Sequence, residues 1–333
     1  MRDDRFVIRN YYIRFGSLFY ESLEEWYSPD THFLRVVESV LSAHHVRDRW
    51  EIRRSGLWFY VEPRNAKLPV QGWKIHVSSR PEKAAEVLAK TANVLIPRSV
   101  PFKFVLDSTV YMLMIDKGWE RGSSGKFITI YPNSTDQCRE LLDALYVALH
   151  GEEGPYILSD RRYRDSRVLY YRYGGFKPLS ILTITGEKIP VIMSPAGEPV
   201  VDRRLPYFHL PDWVRDPFVE DKEEMTLASP TGESALLNGR YRVERALHFS
   251  NAGGVYLAED TKTGTKVVLK EARPHTCVDS FGNDAVILRQ REYEILKLLE
   301  DTGLAPQPLD FFWEWEHCFL VESYVEGKDL REI

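Results

Sequence analysis

The sequence predicts an α+β protein in two parts: a mixed-sheet domain over residues 1–218 and a smaller domain of strands with one helix over 239–333, joined by a linker at 219–238. Three observations carry this. In Gln71-Gly72-Trp73-Lys74-Ile75-His76-Val77-Ser78, apolar and polar residues alternate with the two-residue period of a strand. Further strand-like runs at 102–106, 127–131 and 169–175 are separated by stretches with helical spacing. From Val219-Glu220-Asp221-Lys222-Glu223-Glu224 to Ser229-Pro230-Thr231-Gly232 the composition turns charged, then small and polar, as a linker does.

In chain order, residues 1–30 are an aromatic lead-in (Tyr11, Tyr12, Phe15, Phe19, Tyr20, Tyr27), expected to pack on the first domain rather than grip a partner. Residues 34–41 have helical spacing, and 50–61 reads as a hairpin turning near Ser55-Gly56. Pro81-Glu82-Lys83 starts a helix whose apolar Ala84, Ala85, Val87 and Leu88 lead to Val94. A short helix over 108–115 takes Asp107 or Ser108 as its cap. Arg121-Gly122-Ser123-Ser124-Gly125-Lys126 predicts a flexible polar loop, either a solvated connection or a loop that closes over a substrate. Residues 135–149 form an amphipathic helix with a core stripe of Leu141, Leu142, Leu145, Val147 and Leu149. From 159 to 172 the chain is dense in arginine, whose planar fork suits phosphate better than lysine does.

After the linker, Tyr241-Arg242-Val243 opens a second pattern. Strands follow around 253–258 and 267–270 with a turn at Thr263-Gly264, then a helix at 288–299 and an aromatic hairpin around 311–319.

Composition narrows the function. The 333 residues suffice for two cores, and 44% hydrophobic with 28% charged residues describes a globular protein. A net charge of −5 and a pI near 6.0 argue against a bulk nucleic-acid binder, so basic clusters such as Arg161-Arg162-Tyr163-Arg164 count as local sites. Cys138, Cys277 and Cys318 are too far apart for a metal-ligand spacing and fit a reducing compartment. The charged start offers no signal peptide, and no run of about 18 apolar residues offers a membrane span. A cytoplasmic protein is expected.

On the polar face of strand 71–78 lie Lys74, His76 and Ser78. Later strands add Lys103 in Pro101-Phe102-Lys103-Phe104-Val105, Tyr131 in Phe127-Ile128-Thr129-Ile130-Tyr131, and Arg172 in Leu169-Tyr170-Tyr171-Arg172-Tyr173. A wet sheet face explains each singly. Gathered over one sheet, they would bind an anion and move protons beside it.

The runs QGWKIHVS, PFKF, GKFITIYP and VLYYRYGGF occur in one order and resemble the N-terminal lyase domain of class III and class IV lanthipeptide synthetases, class III more closely. That domain is similar to the phosphothreonine lyases that bacterial pathogens inject into host cells. The resemblance covers about the first 215 residues. It implies β-elimination of phosphate from phosphoserine or phosphothreonine in a ribosomally made precursor peptide with a leader and a Ser/Thr/Cys-rich core. Dehydroalanine or dehydrobutyrine results, with no cofactor or metal in the lyase step. Lys103 is then the base, its pKa lowered by its Phe102 and Phe104 flanks and by nearby cations; His76 is the acid and Lys74 a phosphate ligand. The resemblance assigns the same roles and adds Arg121, Tyr131 and Arg172 at the phosphate, with Asp160 orienting. Arg164 and Arg167 are substitutes at the phosphate.

The second pattern resembles the N-terminal lobe of a protein kinase, an antiparallel sheet with one helix. Lys270 ends Val-Val-Leu-Lys as the nucleotide-binding lysine does, Glu292 matches its helix partner, and 319–327 resembles the hinge. Only Gly253 of three expected loop glycines is present, with His248 and Ser250 in the other places. No His-Arg-Asp or Asp-Phe-Gly motif follows, so the kinase is expected to be incomplete, with ATP or GTP and magnesium serving the whole synthetase and its cyclase lying further on. Apolar residues around 288–299 are candidates for holding the leader. Two other readings stay open: a phosphopeptide- or leader-binding module without catalysis, and a nucleotide-binding regulatory protein.

Overall fold

The computed structural model describes residues 33–219, 236–279 and 281–327, so the aromatic lead-in and most of the predicted linker lie outside the described residues. The described chain divides into two units. One holds 33–114 and 120–219; the other holds 115–119 together with the residues after 235. The short piece belongs to the second unit because Asn251 Nδ2 donates to the carbonyls of Asp116 and Trp119, at 2.8 and 3.0 Å.

The first unit runs α1 (Leu34–Ala43), β1 (Trp50–Ser55), β2 (Trp58–Pro63), β3 (Gln71–Val77), α2 (Ala84–Leu95), β4 (Phe102–Val105), α3 (Ser108–Met114), β5 (Ile128–Ile130), α4 (Thr135–Ala148), β6 (Arg161–Arg162) and β7 (Leu169–Gly175). Its seven strands form one sheet in the order β1-β2-β4-β5-β3-β7-β6, with every neighbour pair antiparallel. Alternation sorts the two faces. Phe102, Ile130, Ile75 and Tyr171 form one cross-strand row, and Phe104, Ile128, Val77 and Leu169 sit on the same side; all are buried. Helix α4 packs on β3 and β7 from this side, with α2 against it. Each fully buried Phe, Ile or Leu here contributes about 1.5–3 kcal/mol.

Local chemistry sets the helix starts. Asp107 Oδ1 accepts from Val110 N at 2.9 Å, which makes it the α3 cap. Ser134 Oγ accepts from Gln137 N at 3.1 Å while Gln137 Oε1 accepts from Asn133 N at 2.8 Å, a capping-box arrangement that starts α4. Cys138, Leu141, Leu142 and Leu145 are the buried stripe of α4, and Leu149 is buried just beyond it. Val147 does not belong to that stripe. It is 75% exposed, because two residues on from Leu145 the helix has turned about 200°.

The 121–126 segment is also not the flexible, solvated loop expected. Ser124 and Lys126 are buried, and a Cβ on Gly122 would stand 2.2 Å from the Arg204 carbonyl, so only glycine allows the two backbones to approach so closely.

Three short strands without a sequence signal, β8 (Ser180–Leu182), β9 (Lys188–Met193) and β10 (Pro199–Val201), form a second antiparallel sheet in the order β10-β9-β8. β8 and β10 are exposed throughout, which erases the apolar–polar alternation. The Gln71 amide anchors this sheet: Nε2 donates to the Met193 carbonyl at 2.8 Å, and Oε1 accepts from Met193 N at 2.6 Å.

The second unit is a five-stranded antiparallel sheet: β11 (Tyr241–Ser250), β12 (Gly253–Asp260), β13 (Thr265–Ala272), β14 (Pro308–Glu314) and β15 (His317–Ser323), in the order β11-β12-β13-β15-β14. Its helix α5 (Ala285–Leu298) is capped by Asp284 and packs on β13, β14 and β15. Both units are α+β, as the sequence predicts, but the sheet of the first is antiparallel between all its strands rather than mixed. No helix among the described residues is long and apolar enough to cross a membrane.

Candidate active site

The polar side of the large sheet carries a second cross-strand row: Tyr60, Lys103, Thr129, His76 and Tyr170, paired in that order. Lys74 pairs with Arg172 two residues along. Directly paired residues share a face, so strand register alone collects these side chains. Lys74, Lys103 and Tyr131 line a cleft of about 1140 Å³, walled on the far side by residues of β8, β9 and the chain after β10. His76, Asp160 and Arg172 are buried and do not line it. Arg121 is part-buried at the start of its loop and also lies outside the lining.

Lys103 is strongly altered by its surroundings. Burial pulls its ammonium down to about 7, with help from Arg204 and Lys126. The expected source of this effect was wrong. Phe102 and Phe104 face the opposite side of the strand, in the core, because neighbours along a strand alternate. The aromatic faces at Lys103 Nζ belong to Trp58 at 4.0 Å and Tyr60 at 5.5 Å, both on β2. Those faces favour the charged form and partly oppose the shift.

His76 Nδ1 lies 2.5 Å from Asp160 Oδ2. Burial pulls His76 down to about 3, against the attraction of Asp160, so in the free site it is neutral. Burial pushes the Asp160 carboxyl up, but Lys126, the His76 hydrogen bond and Arg172 outweigh it and hold it well below the usual carboxylate range. An ionised Asp160 can only accept, which assigns the proton to Nδ1 of His76 and leaves Nε2 free. Asp160 thus orients the histidine. The Lys126 ammonium, 3.4 Å from Asp160 Oδ1, is pulled down to about 8, chiefly by burial.

Burial first, then Arg172, holds Lys74 well below the usual lysine range. Burial raises the Tyr131 hydroxyl far above its ordinary value, so it stays a donor. Arg172 donates through Nη2 to Asp202 Oδ1 at 2.9 Å. Lys126, Arg204, Asp202, Trp58 and Tyr60 escaped the sequence reading. Only the position of Lys126 next to a strand hinted at its place. The alternates Arg164 and Arg167 pair instead with Asp143 and Glu153. The site therefore offers a lysine poised near neutrality, a neutral buried histidine on a fixed carboxylate, and cations around an open cleft.

In the second unit, Lys270 Nζ meets Glu292 Oε1 at 2.9 Å and Glu322 Oε1 at 2.7 Å. Gly253 adopts φ +144°, and a Cβ there would stand 2.4 Å from the Glu271 carbonyl. The Lys270–Glu292 pair fits the phosphate-holding arrangement of a nucleotide site.

The family described as "RamC, N-terminal domain" matches residues 38–229. A probable SapB synthase of Streptomyces coelicolor is 40% identical over 286 residues, covering 86% of this chain but 30% of that protein. The serine/threonine-protein kinase B of Synechocystis is 29% identical over 118 residues, 35% of this chain and 21% of its own. Among solved structures, the phosphothreonine lyase OspF of Shigella flexneri overlaps 50% of this chain and 87% of its own at 16% identity, with a TM-score of 0.33, too low to carry an argument. The chain thus spans about a third or less of these two curated relatives.

Proposed function

The chain belongs to the family of RamC N-terminal domains, and on that premise we propose that its first unit eliminates phosphate from phosphoserine or phosphothreonine in a ribosomally made precursor peptide. The products are dehydroalanine or dehydrobutyrine and free phosphate. The observation that carries this is the row Lys103–Thr129–His76. Base and histidine lie two strand spacings apart, about 10 Å, with a short threonine between them.

Lys74 and Arg172 hold the phosphate, with Tyr131 donating beside them. Neutral Lys103 takes the Cα proton, the electron pair forms the Cα–Cβ double bond, and the Cβ–O bond breaks. The arriving phosphoryl group, with roughly −1.5 to −2 charge, favours imidazolium at His76, whose Nε2 takes up a proton from solvent and gives it to the departing oxygen. Asp160 keeps the ring turned so that Nε2 does this. The cations stabilise charge that grows on the phosphate as the bond breaks.

In the whole protein, of which relatives suggest a much greater length, the second unit belongs to a kinase that installs the phosphate with ATP or GTP and magnesium. Lys270 and Glu292 would orient the nucleotide, with Gly253 in the covering loop. Lanthipeptide biosynthesis in the cytoplasm is the setting this reading implies.

Mass spectrometry of a phosphothreonine peptide incubated with the chain tests the reading. Loss of phosphoric acid supports it. Recovery of intact phosphopeptide, or of threonine peptide from hydrolysis, contradicts it.

A further inference from the structure

Asp202 follows β10 and is buried, yet it sits on the wall of a cleft whose other charged lining residues, Glu62 apart, are cations. Its Oδ1 accepts from Arg172 Nη2 at 2.9 Å, and its Oδ2 accepts from Gly175 N at 3.3 Å. Lys74, paired with Arg172 across the strands, feels the same carboxylate, which favours its charged form. A glycine makes room for it: a Cβ on Gly174 would stand 3.2 Å from Asp202 Oδ1, tighter than an ordinary contact. An internal carboxylate thus occupies Arg172, a cation that the proposed reaction needs for its phosphate, with Lys74 beside it.

We propose that Asp202 is a specificity-determining residue: it fills the anion position on Arg172 and Lys74, and only a phosphomonoester dianion displaces it. This rests on the reading of the cleft as a phosphopeptide site. A glutamate or aspartate of the peptide would replace one carboxylate by another, gaining no charge while still having to expel Asp202 and lose its own water. A phosphoryl group brings more charge and three acceptor oxygens. A strongly cationic cleft is thereby kept from filling with the acidic side chains of its own substrate.

Asp202→Asn keeps an acceptor for Arg172 but removes the charge, which separates competition from orientation. Calorimetry with a phosphothreonine peptide, and with the same peptide carrying glutamate at that position, supplies the test. The variant should bind the glutamate peptide about tenfold tighter than wild type, the scale of one charge-assisted hydrogen bond. It should gain less for the phosphopeptide, so discrimination falls. Asp202→Ala should move both affinities in the same directions and serves if the asparagine variant folds poorly. If both variants bind the two peptides as weakly as wild type or more weakly, Asp202 orients Arg172 and the proposal is overturned. Wild-type elimination, followed in parallel by mass, keeps the two readings apart. Elimination with unchanged discrimination in the variants counts against Asp202 alone, whereas phosphopeptide binding without elimination counts against the lyase.

Discussion

Each unit places a lysine near the middle of an antiparallel sheet, and the two stand in opposite surroundings. Lys270 stands between Glu292 and Glu322, two carboxylates within 3 Å that fix its position. Lys103 has no carboxylate partner among the described residues. It lies against Trp58 and Tyr60, with Arg204 and Lys126 nearby, and its ammonium is pulled down to about 7. A place on a sheet is common to both; the partners differ, and on the proposed reading that difference separates an anchor from a base.

The strongest way to break this contrast is Lys103→Ala. It should abolish elimination while phosphopeptide binding, measured by calorimetry, persists through Lys74 and Arg172; turnover at the parental rate would remove Lys103 from the mechanism. His76→Ala should slow the reaction by about 10²–10⁴-fold, the range for a general acid, in a steady-state assay.

Asp160→Ala comes next and is read in stability. It leaves Lys126 buried without its counter-charge, and breaking such a pair costs about 3–5 kcal/mol, seen as a lowered denaturant midpoint. A midpoint within error of wild type would show that the carboxylate is not needed there.

Two milder variants sharpen the contrast by moving Lys103 in opposite directions. Arg204→Gln removes a neighbouring positive charge, so the ammonium form is less disfavoured and the alkaline inflection in kcat/KM should shift to higher pH. Trp58→Leu removes a ring face that favours the ammonium form, so the inflection should shift to lower pH by less than about one unit. Shifts of the reverse sign would mean that another group controls the profile.

The faces of the large sheet could be read from sequence because β3, β4 and β7 each alternate with period two, which places Lys74, His76, Lys103 and Arg172 on their polar sides. The Lys270–Glu292 pair was equally plain, since its residues fall at a recognisable spacing. What brings Lys103 its neighbours is not visible in one strand. Trp58 and Tyr60 reach it through the β2–β4 register, and Arg204 arrives from a chain segment after three short strands, two of them exposed throughout. The expectation for Phe102 and Phe104 failed because adjacency in sequence was taken for adjacency in space, although strand alternation itself sends them to the core. Lys126 was seen as part of a polar loop; its burial follows from the close approach of Gly122 to the Arg204 backbone, a tertiary contact with no local signature.

The central claim is that surroundings make Lys103 a base at neutral pH. The pH dependence of kcat/KM for elimination from a phosphothreonine peptide tests it most directly, because that ratio reports ionisations of the free protein and of the free substrate. The phosphate titrates near 6 and should contribute its own lower inflection. Above it the ratio should be level, because the gain in neutral Lys103 is offset by the loss of protonated His76, and it should bend downward once Lys103 has lost its proton, with that inflection near 7. A level stretch that continues to about 10, the range of an ordinary lysine, would contradict the account.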